Sequence, residues 1–228
     1  MRKILVLTLA LSLFILFIAN AQSKRIDTLR VALSKDTAPD TTRLKLLHYL
    51  SLYYFNSKPD SCLFFAQQAY VLAVKLDCLK DQGTALSNTA SSYAALGDYA
   101  KSFSINFQAL RIFETINDVP HAVFIYNNVG YDYVAKQDYL KALPYLKTGM
   151  KLWSTYTAEH VIKKHNEREL HTTLLMSMAE VFLYTLKIDS AAYYLELCES
   201  DARKNHFQDI LNIIERDLGE VEIAMGHK

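Results

Sequence analysis

Residues 86–110 read LSNTASSYAALGDYAKSFSINFQAL, and residues 126–150 read YNNVGYDYVAKQDYLKALPYLKTGM. Laid over one another, Tyr93 meets Tyr133 and Tyr99 meets Tyr139, a shift of 40 residues. Each stretch falls into two helix-like halves pinched at a turn, Gly97-Asp98 in the first copy and Gln137-Asp138 in the second. A self-similar period of roughly 20–50 residues marks units that cannot bury their apolar face alone and stack on their neighbours. In the first halves Leu86, Thr89, Ala90 and Tyr93 share one helical face, as do Tyr126, Val129, Gly130 and Tyr133. In the second halves Ser102 and Ala109, or Ala142 and Gly149, are small enough for a close helix approach, while Tyr99, Phe103 and Phe107 supply bulk. Gln137 stands where the first copy has Gly97, which is tolerable provided the backbone there avoids the left-handed region.

An aromatic, then Gly-Asp-Tyr, then a small residue resembles the unit of the tetratricopeptide repeat (TPR) family. That resemblance implies an all-α, right-handed α-solenoid of about four TPR-like helix pairs plus a terminal helix. Its structural positions here are Tyr93, Gly97, Tyr99, Gly130, Tyr133, Tyr139, Ala142, Phe182 and Ala191. The unit exceeds the family's usual length, so each helix should gain most of a turn, reaching about 25 Å at 1.5 Å per residue. Long units of this kind look like the periplasmic sensor halves of bacterial histidine kinases and helix-turn-helix regulators.

The period extends in both directions. Forty residues before Tyr93 lies Tyr53, and Leu46, Tyr49, Leu50 and Tyr53 form the predicted buried face of that unit. Ser57-Lys58-Pro59-Asp60 makes its turn, because proline disfavours helix at the preceding residue. Cys62, Ala66 and Ala69 form the close side of its second helix. After Trp153 the register breaks, and Phe182 lies 49 residues past Tyr133, so nine extra residues must lengthen a helix pair or form a loop. Leu175, Met178, Ala179 and Phe182 resume the face, Lys187–Ser190 makes a turn, and Ala191, Leu195 and Cys198 line the next helix. The predicted division is a signal peptide over 1–21, a leading helix and loop over 22–42, and the repeats over 43–228. Their units run about 43–82, 83–122, 123–171 and 172–206, with a partial unit over 207–228. That last helix is either a terminal cap or the start of a further pair in a longer protein, and the second is expected.

Met1 to Ala21 reads as an export signal: Arg2 and Lys3, an apolar run from Ile4 to Ala19, then small residues at Ala19 and Ala21. Cleavage after Ala21 and a periplasmic location are expected. Without Arg2 and Lys3, 23 basic and 24 acidic side chains leave a net charge near −1, interspersed along the chain. A nucleic-acid partner would normally face a basic stripe, and none is present. Three cysteines, Cys62, Cys78 and Cys198, leave at least one thiol unpaired. Cys62 and Cys198 fall at small-residue positions, where free cysteine packs as a small hydrophobe.

By the geometry of stacked helix pairs, the first helices line a concave groove. The predicted lining is Leu47, Ser51, Tyr54, Ser87, Ser91, Asn127, Tyr131, Val134, Met176 and Glu180, mixed aromatic and polar with little charge. Such a lining suits an extended peptide or a helix. Asn88 and Asn128 sit near where a carboxylate-clamping asparagine would lie, but Leu44, Leu47, Ser51 and Phe124 take the places of its basic partners. His165 with Glu169, and Glu167 with His171, are i, i+4 pairs, yet Lys163, Lys164 and Arg168 would repel a cation and no HExxH or CxxC accompanies them. A solvated helix face is the reading there, and no metal or cofactor is expected. No nucleophile–base set or phosphate loop appears, so the chain reads as non-enzymatic. The expected function is an exported scaffold for a protein or peptide partner, with a homodimer possible. The alternative is a sensory ectodomain fragment of a larger membrane signalling protein. A membrane would then enter only through an uncleaved signal or a missing C-terminal region.

Overall fold

In the computed structural model, residues 24–55, 57–162 and 164–224 are described, and the predicted signal over 1–21 lies outside them. Residues 24–35 are helical (α1). Nine helices follow: α2 (Thr41–Tyr54), α3 (Pro59–Lys75), α4 (Leu79–Ala95), α5 (Tyr99–Thr115), α6 (Val119–Ala135), α7 (Tyr139–Glu159), α8 (His165–Tyr184), α9 (Ile188–Asn205) and α10 (Gln208–Ala224). No strand occurs among the described residues, so the all-α class is as expected.

The spacing of the turns is tighter than the 40-residue repeat suggests. Helices α3, α4, α5 and α6 are each 17 residues long, about 25 Å, and each is followed by three connecting residues. The middle residue of these turns has positive φ: Asp77 at 54°, Gly97 at 83°, Asn117 at 53° and Gln137 at 60°. Leu186 at 56° and His206 at 60° repeat the device after α8 and α9. Gln137 therefore does enter the left-handed region, which corrects the condition attached to it above. Its backbone bonds show what the conformation achieves. The Gln137 N–H donates to Val134 O at 2.8 Å and the Asp138 N–H to Tyr133 O at 2.9 Å. This is the Schellman pattern, which satisfies carbonyls that a helix end would otherwise leave unpaired. Cys78 to Ala73, Asp118 to Phe113, Lys187 to Phe182 and Phe207 to Ala202 repeat the longer bond at 2.9–3.0 Å. The residue that closes one helix then opens the next: Asp98, Asp118 and Asp138 accept from the N–H of Lys101, His121 and Lys141.

Two compact units result, Met1–Leu96 and Gly97–Lys228. In the first, α3 packs on α2 and α4 around Leu44, Leu47, Leu50, Tyr54, Cys62, Phe65, Ala69, Leu72, Ala73 and Ala85, with Ile26, Leu29 and Leu33 of α1 against them. Asp40 caps α2 by accepting from the N–H of Thr42 and Arg43. The Arg43 guanidinium donates to Leu33 O at 3.1 Å and to Asp36 O, tying α1 down. In the second unit, each helix from α5 to α10 packs on the next, and α6 also meets α8. The small positions hold in both units: Cys62, Ser102, Ala142 and Ala191 are fully closed to solvent, as are Ala69, Ala109 and Cys198. Burial pushes the Cys62 thiol up, and burial with nearby Asp201 and Asp217 pushes Cys198 to about 12, so both are packing groups.

Several boundaries and faces shift. The predicted unit borders after residues 82, 122 and 171 fall inside α4, α6 and α8, because one helix gives way to the next at 76–78, at 116–118 and between Glu159 and His165. The nine extra residues are distributed: α7 has 21 residues and α8 has 20, against 17 in each of α3 to α6, and the connection between them takes five instead of three. Of the face predicted for α2, only Leu50 is buried, while Leu46 and Tyr53 are half-buried and Tyr49 is exposed. Tyr49 and Tyr53 instead line a cavity with Lys24, Arg25, Thr28 and Leu29 of α1.

Two substitutions test this packing. A Cβ at Gly130 would lie 2.5 Å from Leu146 Cδ2, and Leu146 is itself fully buried. Gly130→Ala is expected to lower stability by about 1–3 kcal/mol through overpacking. Leu186 holds positive φ with its side chain 81% exposed, so Leu186→Gly is expected to raise stability by about 1 kcal/mol. Urea unfolding followed by circular dichroism reads both, and opposite signs are the expected outcome.

Candidate partner-binding site

The ten side chains predicted to line a groove meet different fates. Leu47, Ser51, Tyr54, Ser87, Asn127 and Val134 are buried, Ser91, Met176 and Glu180 are half-buried, and Tyr131 is exposed. For Leu47, Ser51 and Tyr54 the groove assignment is corrected: they belong to the first unit's interior. Ser51 Oγ accepts from Asn88 Nδ2 at 2.9 Å, and Tyr54 stacks on Phe65 at 5.7 Å between ring centroids. The reason is physical. A first helix that packs on its own partner, on the preceding helix and on the neighbouring first helix buries a wider arc than one stripe, as α2 does with α3 and α4. The Asn88 side chain is spent on that packing, where a carboxylate clamp would need it free.

In the second unit three of the ten converge. Tyr131 and Val134 lie one turn apart near the end of α6, and Glu180 lies near the end of α8. Together with Ala135, Gln137, Tyr139 and Tyr184 they line a cavity of about 210 Å³. The left-handed Gln137 turns the chain so that α7 begins with Tyr139 beside this cavity, where its ring stacks on Tyr184 at 5.2 Å and 14°. Tyr131 and Tyr184 are 54% and 55% exposed, so the cavity opens to solvent between aromatic walls. Tyr184 and Gln137 were missed at the sequence level, and Tyr139 was counted only as a repeat position. Tyr184 stands four residues beyond Glu180 and so on the same helical face, which was the available signal.

The local field is negative. Burial and then Asp217 push the Glu180 carboxyl up, with Arg216 opposing. The Tyr184 phenol is pushed up by Glu180 first, then by burial, Tyr139, Glu220 and Asp217. Tyr131 is pushed up by burial and then by Glu180, Tyr99, Asp132 and Tyr184. Next to Tyr131 in the chain, Asp132 is a buried carboxyl whose one hydrogen-bond partner among the described residues is Ser102, the hydroxyl donating to Oδ2 at 2.5 Å. Asn106 Nδ2 in turn donates to Ser102 Oγ at 3.3 Å.

The His and carboxylate stretch at the start of α8 is engaged elsewhere. His171 Nδ1 lies 3.1 Å from Asp201, Glu167 pairs with Lys164 at 3.0 Å, and His165 meets the Phe207 ring edge-on. Among the described residues no group of three or more His, Cys, Asp or Glu side chains could hold an ion, and no helix is long and apolar enough to cross a membrane.

Burial drives Asp132 up to about 6 despite the Ser102 bond, which favours the charged form. A folded-state pKa above the unfolded value means that the folded protein holds the extra proton between about pH 4 and 6. Stability therefore falls as pH rises through that window, by up to about 3 kcal/mol for this group. Asp132→Asn is expected to raise the thermal midpoint at pH 7.5 and to change it little at pH 4 (midpoints before and after substitution at both pH values give the readout).

No protein-family model and no curated protein matches the sequence. Solved structures do. BtubC (BKLC) from P. vanneervenii superposes with a TM-score of 0.62 at 15% identity, covering 81% of this chain and 74% of that one. A kinesin-light-chain-type protein of Podosopora anserina with nearly identical TPR-like repeats gives 0.58 at 15% identity, covering 85% and 90%. A single-substitution variant of the latter gives 0.58 at 14% identity, covering 82% and 90%. At such identities the likeness speaks for the fold alone, and it shows that this chain carries the TPR-like helical-repeat fold of the α-solenoid class.

Proposed function

We propose that this chain is an exported, non-catalytic scaffold that grips a protein or peptide partner on the face formed by the ends of α6 and α8. TPR-like folds commonly serve protein–protein interaction, and the likeness to such structures supports that role in general. The observation that carries the finer reading is the opening between Tyr131 and Tyr184. Two large aromatic side chains stand more than half exposed around a half-buried carboxylate, on helices whose other faces are packed. Partly exposed tyrosines supply contact area at low entropic cost, which is why they recur at binding anchors. Helices already fixed by their neighbours present that area with little ordering on association.

Peptides selected from a random phage-displayed library on the immobilised full chain provide the test. Tyr131→Ala and Tyr184→Ala are each expected to weaken capture about tenfold or more, the size of a moderate hot spot. Tyr193→Ala, on the exposed side of α9 and away from the cavity, is expected to leave it unchanged. Peptides captured equally by all variants would sink the assignment of this face.

Export rests on the basic, apolar and small-residue succession of Met1 to Ala21. Intact mass of the protein recovered from a bacterial periplasm is expected to correspond to a chain beginning at Gln22. Recovery of the unprocessed chain from the cytoplasm would overturn it.

A further inference from the structure

Aromatic rings near the helix turns of this protein carry a cation. Lys136 Nζ lies 5.9 Å from the Tyr99 ring centre and 6.0 Å from that of Phe103. Lys141 Nζ lies 6.0 Å from Tyr133, and Lys187 Nζ lies 6.0 Å from Phe182. Tyr131, Tyr139 and Tyr184 are different. Among the described residues no lysine or arginine lies over their rings. Glu180, half-buried beside them, makes no hydrogen bond or ion pair with any described residue. Arg216, whose charge reaches Glu180, is already held: its Nε and Nη2 donate to Asp217 Oδ1 at 2.9 and 2.8 Å. Three carboxylates, Glu180, Asp217 and Glu220, thus act on Tyr184 against one guanidinium.

We infer that this cavity takes one basic side chain, a lysine or an arginine, presented by the partner that the scaffold grips. The inference rests on the scaffold reading and specifies its chemistry. Aromatic faces attract a cation through their quadrupole, and a carboxylate removed from bulk water without a partner gains most from meeting one. A cavity of about 210 Å³ is smaller than the roughly 300–1,000 Å³ of sites for drug-sized ligands. That size suits the end of a single side chain and excludes a nucleotide-sized group. A free quaternary ammonium shares the chemistry, so the test must separate the two sources.

The full chain with carbon-13-labelled tyrosine rings is titrated with the blocked amino acids N-acetyl-lysine methylamide and N-acetyl-arginine methylamide, with tetramethylammonium, and with neutral N-acetyl-norleucine methylamide. Saturable shifts of the Tyr131 and Tyr184 ring signals with lysine or arginine, and none with norleucine, are the expected result. Glu180→Gln is expected to weaken that response about tenfold. Should that variant not fold, Tyr131→Leu at an exposed position is expected to abolish the Tyr184 response. Equal shifts with norleucine, shifts with tetramethylammonium alone, or no shifts would each overturn the inference. The scaffold reading fails separately. Selected peptides that need Tyr131 but carry no basic residue would sink the cation and keep the scaffold. A saturable lysine response with no Tyr131-dependent peptide would sink the scaffold and leave the cavity's preference standing.

Discussion

A three-residue connection between two antiparallel helices has to satisfy the carbonyls of one helix end and the N–H groups of the next start at once. The chain meets both demands by placing its middle residue in the left-handed region. With that done, the N–H of the third residue reaches back five positions, and where the third residue is aspartate its carboxylate caps the following helix. Everything else in the repeat inherits its spacing from this turn. Left-handed residues at 77, 97, 117 and 137 leave 17 residues for each intervening helix. Counting from each helix start then fixes which side chains face the partner: Cys62, Ser102, Ala142 and Ala191 are each the fourth residue of four successive second helices and all are interior. The conformation costs a non-glycine residue something like 1–2 kcal/mol. Asp77, Asn117, Gln137, Leu186 and His206 all bear it, so the bonds made at each turn and the packing they permit must outweigh it.

How much of this was legible follows from which signals are local. The 40-residue period, the aromatic and small positions, and the resumption of register at Phe182 were readable because they depend on residue size along one helix face. The 20-residue half-period was not, because its determinant is a backbone angle that five different side chains adopt here without a shared sequence mark. The placement of the predicted lining was legible only in part. Projecting the helices put Tyr131, Val134 and Glu180 on one side, and they do line one cavity, but it placed Leu47, Ser51 and Tyr54 with them as though each first helix buried a single stripe. Burial on three sides is a tertiary property, and α2 with its Asn88–Ser51 bridge to α4 shows it directly. Tyr49 and Tyr53 departed in the opposite sense because α1 leaves a cavity beside them.

Interior polarity in the second unit follows the same logic of close approach. Ser102 is small enough to bring α5 against α6, and its hydroxyl gives Asp132 a partner at the point of contact. At the corresponding position of α7, Ala142 brings in no hydroxyl. The carboxyl thus stands in a setting that favours its neutral form. A buried acid of this kind lowers stability at neutral pH, since desolvation outweighs one hydrogen bond. It does contribute to the negative field felt by the neighbouring Tyr131 phenol.

The placement of the nine-residue expansion explains why the cavity keeps its walls where the register breaks. Four residues lengthen α7 at its far end, three lengthen the start of α8, and two lengthen the connection. Because the two helices run antiparallel, both additions fall at the same end of the pair. The opposite end, where α6 finishes, α7 begins and α8 finishes, keeps the spacing of the shorter repeats. Tyr139 can therefore still stack on Tyr184, and Glu180 still occupies in α8 the place that Tyr131 occupies in α6. An insertion placed at the Gln137 turn itself would rotate one wall of the cavity away from the other. The aromatic walls and their carboxylate are held together by the turn at Gln137 and by the growth of both helices at the end away from it.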